Sequence, residues 1–274
     1  MPLAQVKMLV LIALSSGLLS ASASELVIGG SGTDIATMRI MAQGFNAHHP
    51  DIAVKVLPSL GSGGGIKALS RGKLQIGLAS RPLKSSEQAY PVRAYRYART
   101  PMVLATHASN HVHAIQSQIF FAAMMGEKQY WPDGRLIRLV LRPLSDSDSI
   151  LLLKTYPQAE KALKQAYQQR GIPVAATDQK AARSLESIDG SLGTTTLAVI
   201  QGEKRNLKAL VLDGVTPTPE NLSNGKYPMS KDLYLVLPIK PETDALKFVE
   251  YIRSNQGARI LLETGHLPTT FDLD

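Results

Sequence analysis

The chain has 274 residues, 44% hydrophobic and 19% charged, a composition that supports a packed core and excludes a disordered or collagen-like chain. Its 30 basic against 22 acidic residues give a formal net charge of +8, which suits an anionic partner but is equally an ordinary route to solubility. The lack of cysteine excludes disulfides, cysteine-ligated metal and thiol catalysis, and an aromatic content of 5% argues against a stacking surface for single-stranded nucleic acid.

At the N-terminus Lys7 precedes the apolar run Met8–Leu14, and Ala21-Ser22-Ala23 is a small-x-small cleavage site. This is the three-part layout of a secretory signal peptide over residues 1–23, with an apolar run too short to cross a bilayer about 30 Å thick. The mature chain is therefore expected to be exported, periplasmic and without a membrane anchor.

Leu26-Val27-Ile28 predicts a short strand that stops at Gly29–Thr33, and Ile35, Met38, Ile40, Met41 and Phe45 recur at helical spacing. Ile52, Val54 and Val56 alternate as in a strand. Leu60–Gly65 reads as a glycine-rich turn leading into a helix through Ile66 and Leu69, and Leu74–Ala79 as a strand ending at Ser80-Arg81-Pro82. That order predicts an α/β unit with a mainly parallel sheet. Further on, strands are expected at Met102–Thr106, Leu136–Leu141 and Leu233–Leu237. Helices are expected at Ile115–Met124, Ser149–Leu153, Glu160–Arg170, Ala175–Ile188, Ala245–Ile252 and Ile260–Leu262, with Gly190–Thr194 a turn into Leu197–Ile200.

Three serine-bearing turns, Ser31-Gly32-Thr33, Ser62-Gly63-Gly64 and Ser80-Arg81, each follow a predicted strand. At the carboxyl edge of a parallel sheet, glycine allows close approach, helix N-termini offer free N–H groups, and hydroxyls add donors, which together make a metal-free oxyanion cradle. Taken singly, each turn is equally well read as an ordinary helix cap. His107, His111 and His113 lie close together, but no paired carboxylates support a metal site. There is no Walker loop, no dinucleotide spacing and no Gly-x-Ser-x-Gly elbow, so neither metal, cofactor nor catalytic residues are expected.

The ordered set Gly30–Thr33, Phe45 with Pro50, Gly61–Ile66, Gly72 and Ile76–Leu83 resembles the phosphate-binding proteins of ABC transporters. So do Ser109-Asn110, Trp131–Gly134, Arg142, Gly225–Pro228, Leu233-Tyr234 and Gly265–Pro268. The resemblance spans nearly all of residues 24–268. It implies a two-lobed type 2 periplasmic binding protein fold of α/β class with two hinge crossings. Lobe 1 would be residues 24–104 and 230–274, lobe 2 residues 105–229, with the ligand in the cleft. It also implies Ser31, Thr33, Ser62, Gly63 and Arg81 as ligand-binding groups of one lobe and Arg142 of the other, and Gly32, Gly64, Ser80, Ser145 and Ser147 are candidate ligand-binding groups beside them.

Here the chain departs from the family pattern: the family's Ser-Gly-Thr turn would fall on Asp146, Ser147 and Asp148. Two carboxylates repel a dianion unless they point away or are protonated. Alternatively Ser145 and Ser147 donate while Asp146 or Asp148 accepts a proton of the ligand, or the stretch simply caps the next helix. The expected function is a receptor for phosphate or a related oxyanion in ABC-type uptake, not an enzyme, acting as a monomer with a permease as partner. A diverged relative serving a membrane sensor is the alternative, and a phosphohydrolase the third reading.

Overall fold

The computed structural model describes residues 23–273. The leader expected over residues 1–23 lies outside the described residues except for Ala23. The chain runs β1 (Ser24–Gly30), α1 (Ile35–His48), β2 (Ile52–Val56), α2 (Gly61–Ser70), β3 (Ile76–Ala79) and then β4 (Val92–His107). After β4 come β5 (Ala114–Ile115), α3 (Ser117–Met124), β6 (Arg138–Val140), α4 (Ser147–Thr155), α5 (Ala159–Gln168), α6 (Asp178–Ser187) and β7 (Ser191–Thr196). The remainder is α7 (Leu197–Gly202), β8 (Leu207–Ala209), β9 (Val211–Leu212), α8 (Pro219–Ser223), β10 (Ser230–Pro238), α9 (Thr243–Arg253), α10 (Asn255–Glu263) and β11 (Leu267–Pro268).

The main sheet follows the order β2-β1-β3-β10-β4-β7-β6. β1 pairs in parallel with β2 and β3, and β6 in parallel with β7, as strand–helix–strand crossovers require. β10 returns from far along the chain and inserts antiparallel between β3 and β4, so the sheet is mixed rather than mainly parallel.

β4 joins two bodies. Its first part pairs with β10 up to Pro101 opposite Ser230, and from Met102 onward it pairs with β7. At the junction the Met102 N–H donates to the Met229 carbonyl at 2.9 Å. The apolar side chains divide at the same place. Leu26, Ile28, Met38, Phe45, Leu235 and Phe248 pack in one core, and Phe120, Phe121, Trp131, Leu139, Leu152 and Leu163 in another. The molecule is a two-lobed α/β protein crossed twice by its chain.

Two local expectations are corrected. The glycine-rich stretch from Gly61 is not a turn before the helix but its opening turns, because α2 starts at Gly61. A Cβ at Gly65 would come within 2.6 Å of the Gly30 Cα, so a bare backbone there lets α2 lie directly on β1. Likewise Ser191–Thr196 is not a turn but a strand with all six residues buried, followed by helix α7. Three of its four hydroxyls find partners: Ser191 donates to the Leu185 carbonyl at 2.6 Å, Thr194 donates to Asp148 at 3.0 Å, and the Thr196 hydroxyl accepts the Val199 N–H at 3.2 Å, while that of Thr195 is buried without one. Polar composition hid a core strand.

Candidate functional site

A cavity of about 190 Å³ opens where the carboxyl ends of β1 and β3 face α4 and α6. Ser31, Gly32, Ser62, Gly63, Ser80 and Arg81 line it from one lobe, and Arg142, Ser145, Asp146 and Ser147 from the other, joined by Ser59, Gly61, Lys84, Ala176, Thr177 and Asp178. Of the sequence-expected ligand groups, Thr33 and Gly64 do not line it. Thr33 lies in the short helical turn Gly32–Asp34, and its hydroxyl is buried with no hydrogen-bond partner. Gly64 lies one residue further into α2 and sits against Leu60.

The lobe 1 wall is a set of donors. α2 begins behind Leu60, which supplies no side-chain cap, and its first turn carries no acidic residue. The opening N–H groups of α2 therefore have no intrahelical acceptor and present the positive end of the helix to the cavity. The Ser62 hydroxyl accepts the Ser80 N–H at 3.0 Å and lies 3.3 Å from the Ser80 hydroxyl. The Ser80 hydroxyl in turn lies 3.2 Å from that of Ser147, bridging the two lobes across the cavity. Arg81 is less available than its sequence position suggests. It makes a bidentate pair with Glu87 at 2.7 Å on each arm and also donates to the Pro82 carbonyl, leaving Nε and one Nη2 hydrogen. That pair holds the Glu87 carboxyl below its usual range.

On the opposite wall the chain supplies its own anions. Asp146 caps α4, its carboxylate accepting the Asp148 N–H at 3.0 Å. It also pairs with buried Arg142 through Nη2 at 2.7 Å and Nε at 3.3 Å. Arg142 lies 3.5 Å from Asp178 and 3.9 Å from Asp148, and donates to the Ala175 carbonyl at 2.9 Å. Burial alone would lower the pKa of this guanidinium, but the carboxylates of Asp148, Asp178 and Asp146 outweigh it and hold its pKa above the ordinary value.

Asp148 does not face the cavity. It is buried against Lys231 of β10, with which it forms a short ion pair, and it accepts the Thr194 hydroxyl at 3.0 Å. Burial raises its pKa, but Lys231 and Arg142 outweigh burial and hold it low. Burial and the nearby Asp148 charge instead push Asp146 up. Behind the cavity Asp34 is fully buried, and neither carboxylate oxygen has a hydrogen-bond partner. Burial and the charge of Asp178 drive its pKa well above normal.

Asp178, Lys231 and Asp34 are the important groups that the sequence reading did not single out. Thr177-Asp178 is in fact a recognisable cap: the Thr177 hydroxyl accepts the Lys180 N–H at 3.2 Å. It was hidden because the apolar pattern places the helix start at Ala175. Lys231 carries no local signal, since its partner is 83 positions away. His107 bonds Ser109 at 2.7 Å and Asn206 at 3.0 Å, which is a loop network.

A family profile described as the PBP superfamily domain matches residues 19–256. The chain belongs to the PBP superfamily. This PBP-superfamily protein is 26% identical over 273 residues to Protein SphX of Synechococcus elongatus, covering 91% of this chain and 79% of that protein. It is 23% identical over 256 residues to the phosphate-binding protein PstS of Bacillus subtilis, covering 91% and 82%. Among solved structures it is similar to a Clostridium perfringens substrate-binding protein assigned to a phosphate ABC transporter, with phosphate bound. The TM-score is 0.75 at 21% identity, covering 90% of this chain and 100% of the other.

Proposed function

We propose that this protein is an exported solute receptor that binds phosphate or a related oxyanion between its lobes and delivers it to an ABC-type permease, as a monomer and without turnover. The single observation that carries this reading is the interlobe cavity on which α2 presents uncapped N–H groups beside the hydroxyls of Ser62, Ser80 and Ser147. The names of SphX-like and PstS-like relatives, with a phosphate-bound structural neighbour, support the same ligand class. We place the lobe boundary at the change of strand partner, Pro101/Met102 and Met229/Ser230, so that of the described residues lobe 1 takes 24–101 and 230–273.

In this reading closure about the two crossings brings Ser147 onto Ser80 and removes water from the anion. Charge-assisted hydrogen bonds from backbone and hydroxyl donors are strongest in such a desolvated setting. No helix of the described residues is long and apolar enough to cross a membrane. The test is a thermal-shift and calorimetric panel of phosphate, arsenate, sulfate, molybdate and carboxylates on the purified protein. A ligand at 100 times its Kd adds about 2.7 kcal/mol to stability. A shift with phosphate or another tetrahedral oxyanion supports the reading, and no shift with any of them overturns it.

A further inference from the structure

Gln179 does not line the anion cavity, yet it joins the two lobes beside it. It stands in the first turn of α6 and lines the groove of about 640 Å³ that runs outside the cavity between α1 and α6. Its amide nitrogen donates across the lobe boundary to the Gly32 carbonyl at 2.8 Å and, within lobe 2, to Glu203 Oε1 at 2.7 Å. A side-chain amide carries two N–H hydrogens, so both are committed. The arm is also aimed from behind. Glu203 accepts from Arg205 Nε at 2.7 Å, and Arg205 reaches Glu186 at 3.0 Å on the same helix as Gln179. Gln179, Glu203, Arg205 and Glu186 thus form a ring of lobe 2 contacts from which one hydrogen bond is left for lobe 1.

Gly32 is shaped to receive that bond. A Cβ there would stand 2.7 Å from the Gln179 carbonyl oxygen and 2.6 Å from Asp178, so its missing side chain is what lets α6 come this close. Gly32 itself lines the cavity. The bond therefore ties lobe 2 to a peptide unit that walls the ligand. The Ser80–Ser147 contact at 3.2 Å also crosses between the lobes, but both of its hydroxyls line the cavity, where a bound anion competes for their hydrogens. The Gln179 bond lies outside the cavity and is kept when an anion fills it.

We propose that Gln179 is a positioning residue of the receptor, a latch that holds lobe 2 on the Gly32 carbonyl and slows departure of the bound anion without touching it. This rests on the oxyanion-receptor reading above and deepens it by assigning the ligand's residence time to a residue outside the cavity. A bond made only between closed lobes favours the closed state, and a ligand held in that state gains affinity with it. Capture precedes closure, so the gain falls on the dissociation rate. The latch also carries a counterweight. The Gln179 carbonyl oxygen is buried without a hydrogen-bond partner, and opening returns it to water.

The test is calorimetry with phosphate and arsenate on the wild type, Gln179→Ala and Gln179→Glu, with phosphate release followed by stopped flow into an excess of a fluorescent phosphate scavenger. Loss of one such hydrogen bond corresponds to a factor of about ten. Phosphate affinity is therefore expected to fall about tenfold in Gln179→Ala, and further in Gln179→Glu, where a carboxylate would face Glu203 and the Gly32 carbonyl. Release should speed up by the same factor, while the association rate and the phosphate-to-arsenate ratio hold within about twofold. Glu203→Gln, which keeps the arm but weakens its aim, should lose about threefold. Unchanged affinity in either folded Gln179 variant overturns the latch and leaves the oxyanion reading standing. A loss carried by the association rate, or a changed phosphate-to-arsenate ratio, shows that Gln179 acts on the ligand and also overturns it. If the wild type binds neither anion, both readings are overturned. Where the Gln179 variants are poorly folded Glu203→Gln decides, since unchanged release there counts against the latch in the same way.

Discussion

The two walls of the cavity are built from the same part, a helix N-terminus, and loaded in opposite ways. α2 arrives with Leu60 at its cap position and no acidic residue in its first turn, so its free N–H groups face the opening. α4 arrives with Asp146 as its cap and Asp148 in its first turn, and α6 with Asp178. An anion is favoured at all three termini by the helix field, yet only α2 leaves that place open to a ligand. The lesson is that an anion cradle is defined by which caps a chain leaves vacant, not by how many helix ends converge.

That contrast can be broken at its strongest point first. Lys231 compensates Asp148 in a fully buried pair, and removing one partner of such a pair costs about 3–5 kcal/mol. Lys231→Met should lower stability by that amount in denaturant titration, and adding Asp148→Asn should recover part of it. A loss below about 1 kcal/mol for the single variant would show that the interlobe pair is not closed in solution.

Ser62→Ala attacks the donor wall. It removes the hydroxyl that holds the Ser80 N–H, and the affinity for the bound oxyanion should fall by about 1–3 kcal/mol in calorimetry. Asp146→Asn attacks the acceptor wall while keeping a side chain that can cap α4. It frees Arg142 of its tightest partner, so sulfate affinity should rise by about tenfold, or about 1.4 kcal/mol, with little change in melting temperature. An unchanged sulfate affinity would mean that Asp146 acts only as a cap.

Asp34 sharpens the comparison through pH. Its pKa is raised in the folded state above an unfolded value of about 3.9, so the native chain binds the extra proton. Stability then declines as pH rises from about 4 through the raised folded pKa, with a slope of at most about 1.4 kcal/mol per pH unit from this group. Asp34→Asn should flatten that slope. The smallest effect is expected at Thr33, whose buried hydroxyl has no partner and does not reach the cavity. Thr33→Val should leave oxyanion affinity unchanged and stability neutral or up to about 1 kcal/mol higher. A clear loss of affinity would return Thr33 to the site.

Much was legible from local pattern alone, because the forces that write it are local. The alternation of Ile52, Val54 and Val56, the helical spacing from Ile35 to Phe45, and the glycine–serine turns after β1 and β3 all follow from backbone preference and one-sided burial. These placed Ser31, Ser62, Ser80 and Arg81 at one sheet edge, where the structure gathers them. The strand Ser191–Thr196 was not legible, since its signature is polar and hydroxyls such as that of Ser191 find partners only within the packed lobe. Whether a charge near the cleft is spent or available was not legible either. Arg81 is taken by Glu87 six residues on, Asp148 by Lys231 across 83 positions, and Asp178 reaches Gly32 from the other lobe. Residue order states which charges a chain owns. Coulomb energy and desolvation act through distance in space, so only the closed tertiary structure decides which of those charges cancel and which are left for a ligand.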